Sequence, residues 1–214
     1  MTHEGSNQMS RKDRERERHR SEILDAAERV FVSKGYEATT VGAVAKEAEF
    51  AVGTLYLFFK SKEELYGCVI QRIAEDFIEQ FETRVLTREN AEEALAALIE
   101  LRLTHFDNHQ GFFRLVLTNS PGNQANPARV LPPQCRELND RYIDAVARLF
   151  QQGISQGIFD RADPLYLALC LEGIINAFLA YWSRHPSTEP LPRRIAKMKR
   201  EFIGRIKVHL EDES

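Results

Sequence analysis

Thr39-Thr40-Val41-Gly42-Ala43-Val44-Ala45-Lys46-Glu47-Ala48-Glu49-Phe50-Ala51-Val52-Gly53-Thr54-Leu55-Tyr56-Leu57-Phe58-Phe59-Lys60-Ser61-Lys62-Glu63-Glu64-Leu65 decides the fold of the N-terminal part of this chain. Val41, Val44, Ala45 and Ala48 share one helical face behind Thr40, and a short helix follows over roughly 51–58 with Leu55, Phe58 and Phe59 as its buried side. Ser61 opens a longer helix as a capping box with Glu64, and Leu65, Val69, Ile73, Phe77 and Phe81 advance along it by one turn each. Upstream, Ser21 and Gly35 bracket a helix carrying Ile23, Ala27, Val30 and Phe31. Short helices joined by a tight turn are the makings of a helix-turn-helix, whose third helix enters the major groove.

Thr39-Thr40-Val41 through Ala45-Lys46-Glu47-Ala48, followed by Gly53-Thr54-Leu55-Tyr56-Leu57-Phe58-Phe59-Lys60-Ser61-Lys62-Glu63-Glu64-Leu65, resembles the DNA-binding domain of the TetR (tetracycline-repressor) family over roughly residues 18–66. The resemblance implies a homodimeric, usually repressing, transcription factor that leaves operator DNA when a small molecule enters its C-terminal domain. It places Thr40, Thr54, Tyr56 and Lys60 at phosphate-contacting positions, with Gly53 allowing close backbone approach. Gly42, Ala51 and Val52 stand where the family commonly has base-reading or polar residues, and Glu49 replaces the usual turn glycine. Ala51 and Val52 are expected to meet thymine methyls, and Glu49 is strained if its turn needs a positive φ.

Charge does not mark a nucleic-acid binder at domain scale. The chain has 29 basic and 32 acidic groups among 214 residues, and residues 1–60 carry ten of each. Only residues 11–20 are locally basic, with six Lys or Arg against three acids. They read either as a solvated, helix-prone leader or as an arm on DNA phosphates. Three cysteines without CxxC spacing argue against a disulfide framework and structural zinc, and for a cytoplasmic setting. No signal-peptide pattern and no membrane span is expected.

The remainder reads as longer amphipathic helices without strand alternation, so the fold expected is all-α: a three-helix helix-turn-helix domain and a C-terminal helical domain for ligand binding and dimerisation. The domains are a flexible basic arm (1–17), the DNA-binding domain (18–66) and the ligand-binding and dimerisation domain (67–214). Residues 119–133 form the main loop, expected to be mobile. An effector site is expected from Arg102, His105, Phe106, Phe112, Phe113, Tyr142, Phe150, Glu172 and Asn176, with Phe178 a further aromatic wall: apolar surroundings with a few placed polar groups. Glu172, on a helix apolar almost all round, needs a partner such as Arg102, the dimer seam or the ligand. Gly173, Ala177 and Ala180, with the stripe Leu191, Ile195, Met198, Phe202, Ile206 and Leu210, suggest a homodimer through the last two helices.

His105 and His109 are one turn apart, and a metal site of the two with Glu172 is the weaker reading; no metal and no cofactor is expected. Gly153-Ile154-Ser155-Gln156-Gly157 fits the nucleophile-elbow pattern GxSxG but follows a helical run rather than the strand an elbow needs, so no enzyme activity is expected. The alternative is a helical ligand-binding protein with weak or lost DNA binding.

Overall fold

The computed structural model describes residues 10–118 and 133–207. Among these are nine helices and no strand: α1 (Arg11–Ala38), α2 (Val41–Glu47), α3 (Val52–Tyr56), α4 (Lys62–Arg84), α5 (Ala91–Asn108), α6 (Gln110–Thr118), α7 (Pro133–Ser155), α8 (Pro164–Arg184) and α9 (Leu191–Ile206). The chain divides after Val69, within α4, into two compact units. Residues 119–132 of the expected loop, and 1–9 of the expected arm, lie outside the described residues.

The first unit is built on α1. The sequence predicts its start at Ser21 behind a flexible arm, yet the helix begins at Arg11. Ser10 and Asp13 form a reciprocal capping box there, and alternating Arg and Glu support the added turns, with Arg18 and Glu22 paired one turn apart. Gly35 ends the regular helix at φ 78°, where any residue but glycine is strained. The buried Thr39 hydroxyl donates to the Gly35 carbonyl at 2.7 Å, holding the chain as it turns toward α2. Ile23, Leu24, Ala27, Val30 and Phe31 pack with Val44, Ala45, Leu55, Phe59 and Leu65 as the buried residues of this unit. The Lys62 ammonium donates to the Tyr36 and Glu37 carbonyls at 3.0 and 3.3 Å, closing the C-terminal end of α1.

The second unit is a helical bundle with one core, including Phe81, Leu98, Phe106, Val146, Phe150, Leu171, Ile175 and Phe202. Of the stripe that suggested dimerisation, Met198 and Phe202 turn into this core with Ile203, Leu191, Ile195 and Ile206 pack partly buried against it, and Leu210 lies outside the described residues. Arg194–Asp107, Lys199–Glu100 and Lys207–Glu92, at 2.7, 2.8 and 2.9 Å, tie α9 to α5 of the same chain. An amphipathic stripe specifies a buried face but not the neighbour that buries it. On α8, by contrast, Ala168, Leu171, Ile175 and Leu179 are buried while Leu165, Tyr166, Leu169, Ile174, Phe178 and Tyr181 are exposed.

Against the expectation of no such run, α8 is also long and apolar enough to cross a membrane, at a mean hydropathy of 1.5. Its single acid between Leu165 and Trp182, Glu172, is paired with Arg102 inside the unit.

Candidate functional site

Two regions carry the functional residues, one in each unit. In the first, Thr40 caps α2, its hydroxyl accepting from the Ala43 N–H at 3.1 Å. This capped end leaves Thr40 exposed, as are Ala51, Val52, Gly53, Tyr56 and Lys60. Thr54 is half-buried. A Cβ added at Gly53 meets nothing within 4 Å, so its lack of a side chain leaves the backbone open to approach from outside.

Leu55 and Phe59 are buried, as their spacing predicts, while Phe58 is half-buried beneath the Arg16 guanidinium, 5.9 Å from the ring centre. Arg20 lies over the Phe59 ring at 5.5 Å. The basic side chains at 16 and 20 thus help to cover the aromatic underside of this unit as well as carrying charge. Glu49 has φ 59°, so the turn does require the backbone that glycine adopts freely. The Ser61 cap forms, but the Glu64 carboxylate takes the Lys60 N–H rather than that of Ser61.

The sequence reading missed Leu57, which is 75% exposed beside Tyr56. Two positions beyond buried Leu55, it lies about 200° around the helix. That arithmetic places it outside, and the tight Leu-Tyr-Leu-Phe-Phe spacing hid it.

In the second unit Arg102, Tyr142, Glu172 and Asn176 are brought together from α5, α7 and α8. The guanidinium donates to Asn176 Oδ1 at 2.7 Å and pairs with Glu172 Oε2 at 3.1 Å, the two charged side chains being 14% and 8% exposed. The Tyr142 hydroxyl donates to Glu172 Oε1 at 2.5 Å. Burial, and then the Glu172 charge, push the Tyr142 phenol well above its ordinary range. Glu172 therefore finds its partners within the chain. Arg102 Nε is buried and makes no hydrogen bond. It is a spare donor in an apolar setting.

His105 packs by Phe77 and Phe113, at 5.3 and 6.1 Å between ring centres, and Phe106 by Phe113 at 5.5 Å. Phe112 is buried on α6. Phe150 stands apart from this group, against Phe159 and Phe202. Phe178, on the exposed side of α8, is also separate, next to Trp182.

A cleft of about 260 Å³ opens between α4 and α7, lined by Ile78, Phe81, Leu86, Leu138, Tyr142 and Ala145, with Glu82, Arg141, Asp144 and Arg148 as polar lining. Of the expected effector residues only Tyr142 lines it. The positions 141, 145 and 148 recur at helical spacing and could have revealed one face of α7. Their partners on α4 lie too far away in sequence to give a local signal.

Gly153 and Gly157 have structural roles. A Cβ on Gly153 would stand 2.1 Å from the Phe159 ring. Gly157, at φ 71°, ends α7 in a Schellman motif, with Ile158 N–H donating to the Gly153 carbonyl at 2.9 Å. The Ser155 hydroxyl donates to the Gln151 carbonyl on its own helix, and no strand precedes it among the described residues. Cys68, Cys135 and Cys170 form no disulfide among the described residues, and burial raises the pKa of Cys135.

Residues 23–67 match the bacterial regulatory proteins of the tetR family, and residues 92–189 match the tetracyclin repressor-like C-terminal domain. The fatty acid metabolism regulator protein of Bacillus subtilis is 31% identical over 163 residues, 75% of this chain and 81% of that protein. The chain belongs to the TetR family. Another TetR-like relative in B. subtilis, the uncharacterized HTH-type transcriptional regulator YhgD, is 28% identical over 77% of this chain and 84% of its own. The solved structure of the transcriptional regulator FadR from B. subtilis in complex with stearoyl-CoA superposes with a TM-score of 0.69 at 22% identity, covering 87% of this chain and 98% of that one. This TetR-family chain is accordingly a DNA-binding transcriptional regulator with a C-terminal ligand-binding domain.

Proposed function

We propose that the chain is a cytoplasmic, non-enzymatic homodimeric repressor that α3 holds on operator DNA and that an amphiphilic, long-chain acyl effector releases. The observation that carries this reading is the outward face of α2 and α3. Thr40, Ala51, Val52, Gly53, Tyr56, Leu57 and Lys60 are all exposed there, although several are apolar and a core would have taken them. An exposed apolar patch flanked by hydroxyls and an ammonium suits thymine methyls between phosphates. The α8–α9 pair supplies the dimer seam, chiefly through the exposed apolar face of α8.

The effector class follows from the second unit. The cleft between α4 and α7 combines an apolar floor with Arg141 and Arg148, set among Glu82 and Asp144, so an acyl chain has a floor and an anionic head has two guanidinium partners. The relative named as a fatty acid metabolism regulator supports the same class. Arg102, His105, Phe106, Phe112, Phe113, Phe150, Glu172 and Asn176 form the packed and polar surroundings through which occupancy is felt. The effector acts by binding one arrangement of the DNA-binding units more tightly than the other.

Fluorescence anisotropy on duplexes tiling the DNA upstream of the gene, at two salt concentrations and with or without stearoyl-CoA, tests this function. Saturable, sequence-selective binding that salt weakens and stearoyl-CoA abolishes is expected. Binding that is equal on all duplexes, or absent from effector-free protein, overturns the operator reading and favours a ligand-binding protein that has lost DNA recognition. Selective binding indifferent to stearoyl-CoA overturns the acyl effector alone.

A further inference from the structure

We propose that Asp76, His105 and His109 form a binding site for a divalent first-row transition-metal ion of the zinc type. His105 lies in the last turn of α5 and His109 caps it, with the two rings 4.9 Å apart between centres. Asp76 reaches them from α4. One ligand atom from each of the three lies within 4.8 Å of the other two, and His105 Nδ1 is 3.7 Å from Asp76 Oδ2. Tetrahedral zinc with bonds near 2.0–2.2 Å needs its ligand atoms roughly 3.3 Å apart. The three must therefore converge by at most roughly 1.5 Å, within reach of side-chain rotations.

The surroundings favour a metal over a loose ion pair. Gln80 Nε2 donates to Asp76 Oδ2 at 2.8 Å, the outer-shell support that fixes a ligating carboxylate. Phe77 and Phe113 flank the His105 ring and give the site an apolar wall. His105 is 5% exposed while the Asp76 side chain is 51% exposed, so the site has a closed inner side and an open outer one. An ion enters past Asp76 and keeps a coordination position for water. Two imidazoles and one carboxylate suit zinc, nickel or cobalt, whereas magnesium and calcium call for oxygen alone. The ion would fasten α4 to α5 within the second unit. His105 is shared with the surroundings of the effector cleft, but the proposal does not rest on that reading, and its test uses neither DNA nor acyl-CoA.

Full-length protein stripped with EDTA and titrated with zinc chloride by calorimetry at neutral pH is expected to bind one equivalent per chain. Binding should release protons and weaken as the pH falls through the imidazole range. Asp76→Asn and His109→Ala, at positions that are not fully buried, should each lower affinity more than about tenfold while circular dichroism stays unchanged; loss of an outer-shell partner alone costs that much. Cobalt substitution should give a visible absorption band in the wild type that His109→Ala removes. Absence of zinc binding overturns the proposal. So does zinc binding of equal strength in Asp76→Asn and His109→Ala, which would put the ion on other groups such as Cys68 or Cys170.

Discussion

The two units depart from the usual burial rule in different ways: both hold apolar side chains in water, beside α3 and on α8, and the second also buries a charged pair. The first holds apolar Val52 and Leu57 out in water on α3, beside the half-wet ring of Tyr56. The second draws Glu172 and Arg102 into a core of leucine, isoleucine and phenylalanine. Each inversion costs free energy, since exposed apolar surface and buried charge are both unfavourable. The difference lies in how that cost is met. The buried charges are satisfied inside the chain by Tyr142 and Asn176, and only one nitrogen is left over. On the reading proposed above, the exposed apolar residues beside α3 are covered by DNA, a molecule from outside.

The sharpest way to break that comparison is to remove one side of the buried pair. Arg102→Met should lose about 3–5 kcal/mol in urea unfolding, because Glu172 is then buried without its counter-charge, and Arg102→Met with Glu172→Leu should regain most of it. A single-mutant loss below about 1 kcal/mol would mean that water reaches the pair. Next in size is the outer face of the first unit. Tyr56→Phe should weaken operator binding about tenfold, the worth of about 1.4 kcal/mol for a hydrogen bond to a charged phosphate, without lowering the melting temperature. Lys60→Ala should weaken all sequences alike and reduce the salt slope by about one. Unchanged binding in both would detach this face from DNA.

Glu49→Gly should stabilise the protein by about 1 kcal/mol, read as a rise of a few degrees in thermal melting, because the left-handed turn strains any side chain. An unchanged or lower melting point would show that the Glu49 side chain repays the strain.

The smallest effect concerns Glu100, whose carboxylate is held below its usual range chiefly by the hydrogen bond from Lys199. Its stabilisation is present above the unfolded carboxylate value of about 4.3 and lost as pH falls through the lower folded value. Glu100→Gln should therefore cost at most about 1 kcal/mol at neutral pH, the pair being well exposed to solvent, and nothing in strong acid. A cost that persists in strong acid would refute the ion pair as its source.

Much of this was legible in the sequence because it is local. The helix-turn-helix, the helix start at Thr40, the Gly35 stop and the strain at Glu49 each depend on residues a few positions apart. Arg102 and Glu172 were legible for another reason: each is costly alone, so a partner had to exist. What stayed hidden is relational. The α9 stripe reads the same whether it meets α5 or a second chain, and nothing near His105 points to Asp76 on another helix. The cleft, too, is a product of two helices and belongs to neither pattern.

Tyr142 has its ring in the cleft wall and its oxygen on the buried carboxylate. That single phenol joins a surface groove to an interior charge. A guest that tilts the ring lengthens a 2.5 Å bond, and Glu172 then holds its charge with one donor fewer. Whatever presses on that wall is thereby felt at a charge it never touches.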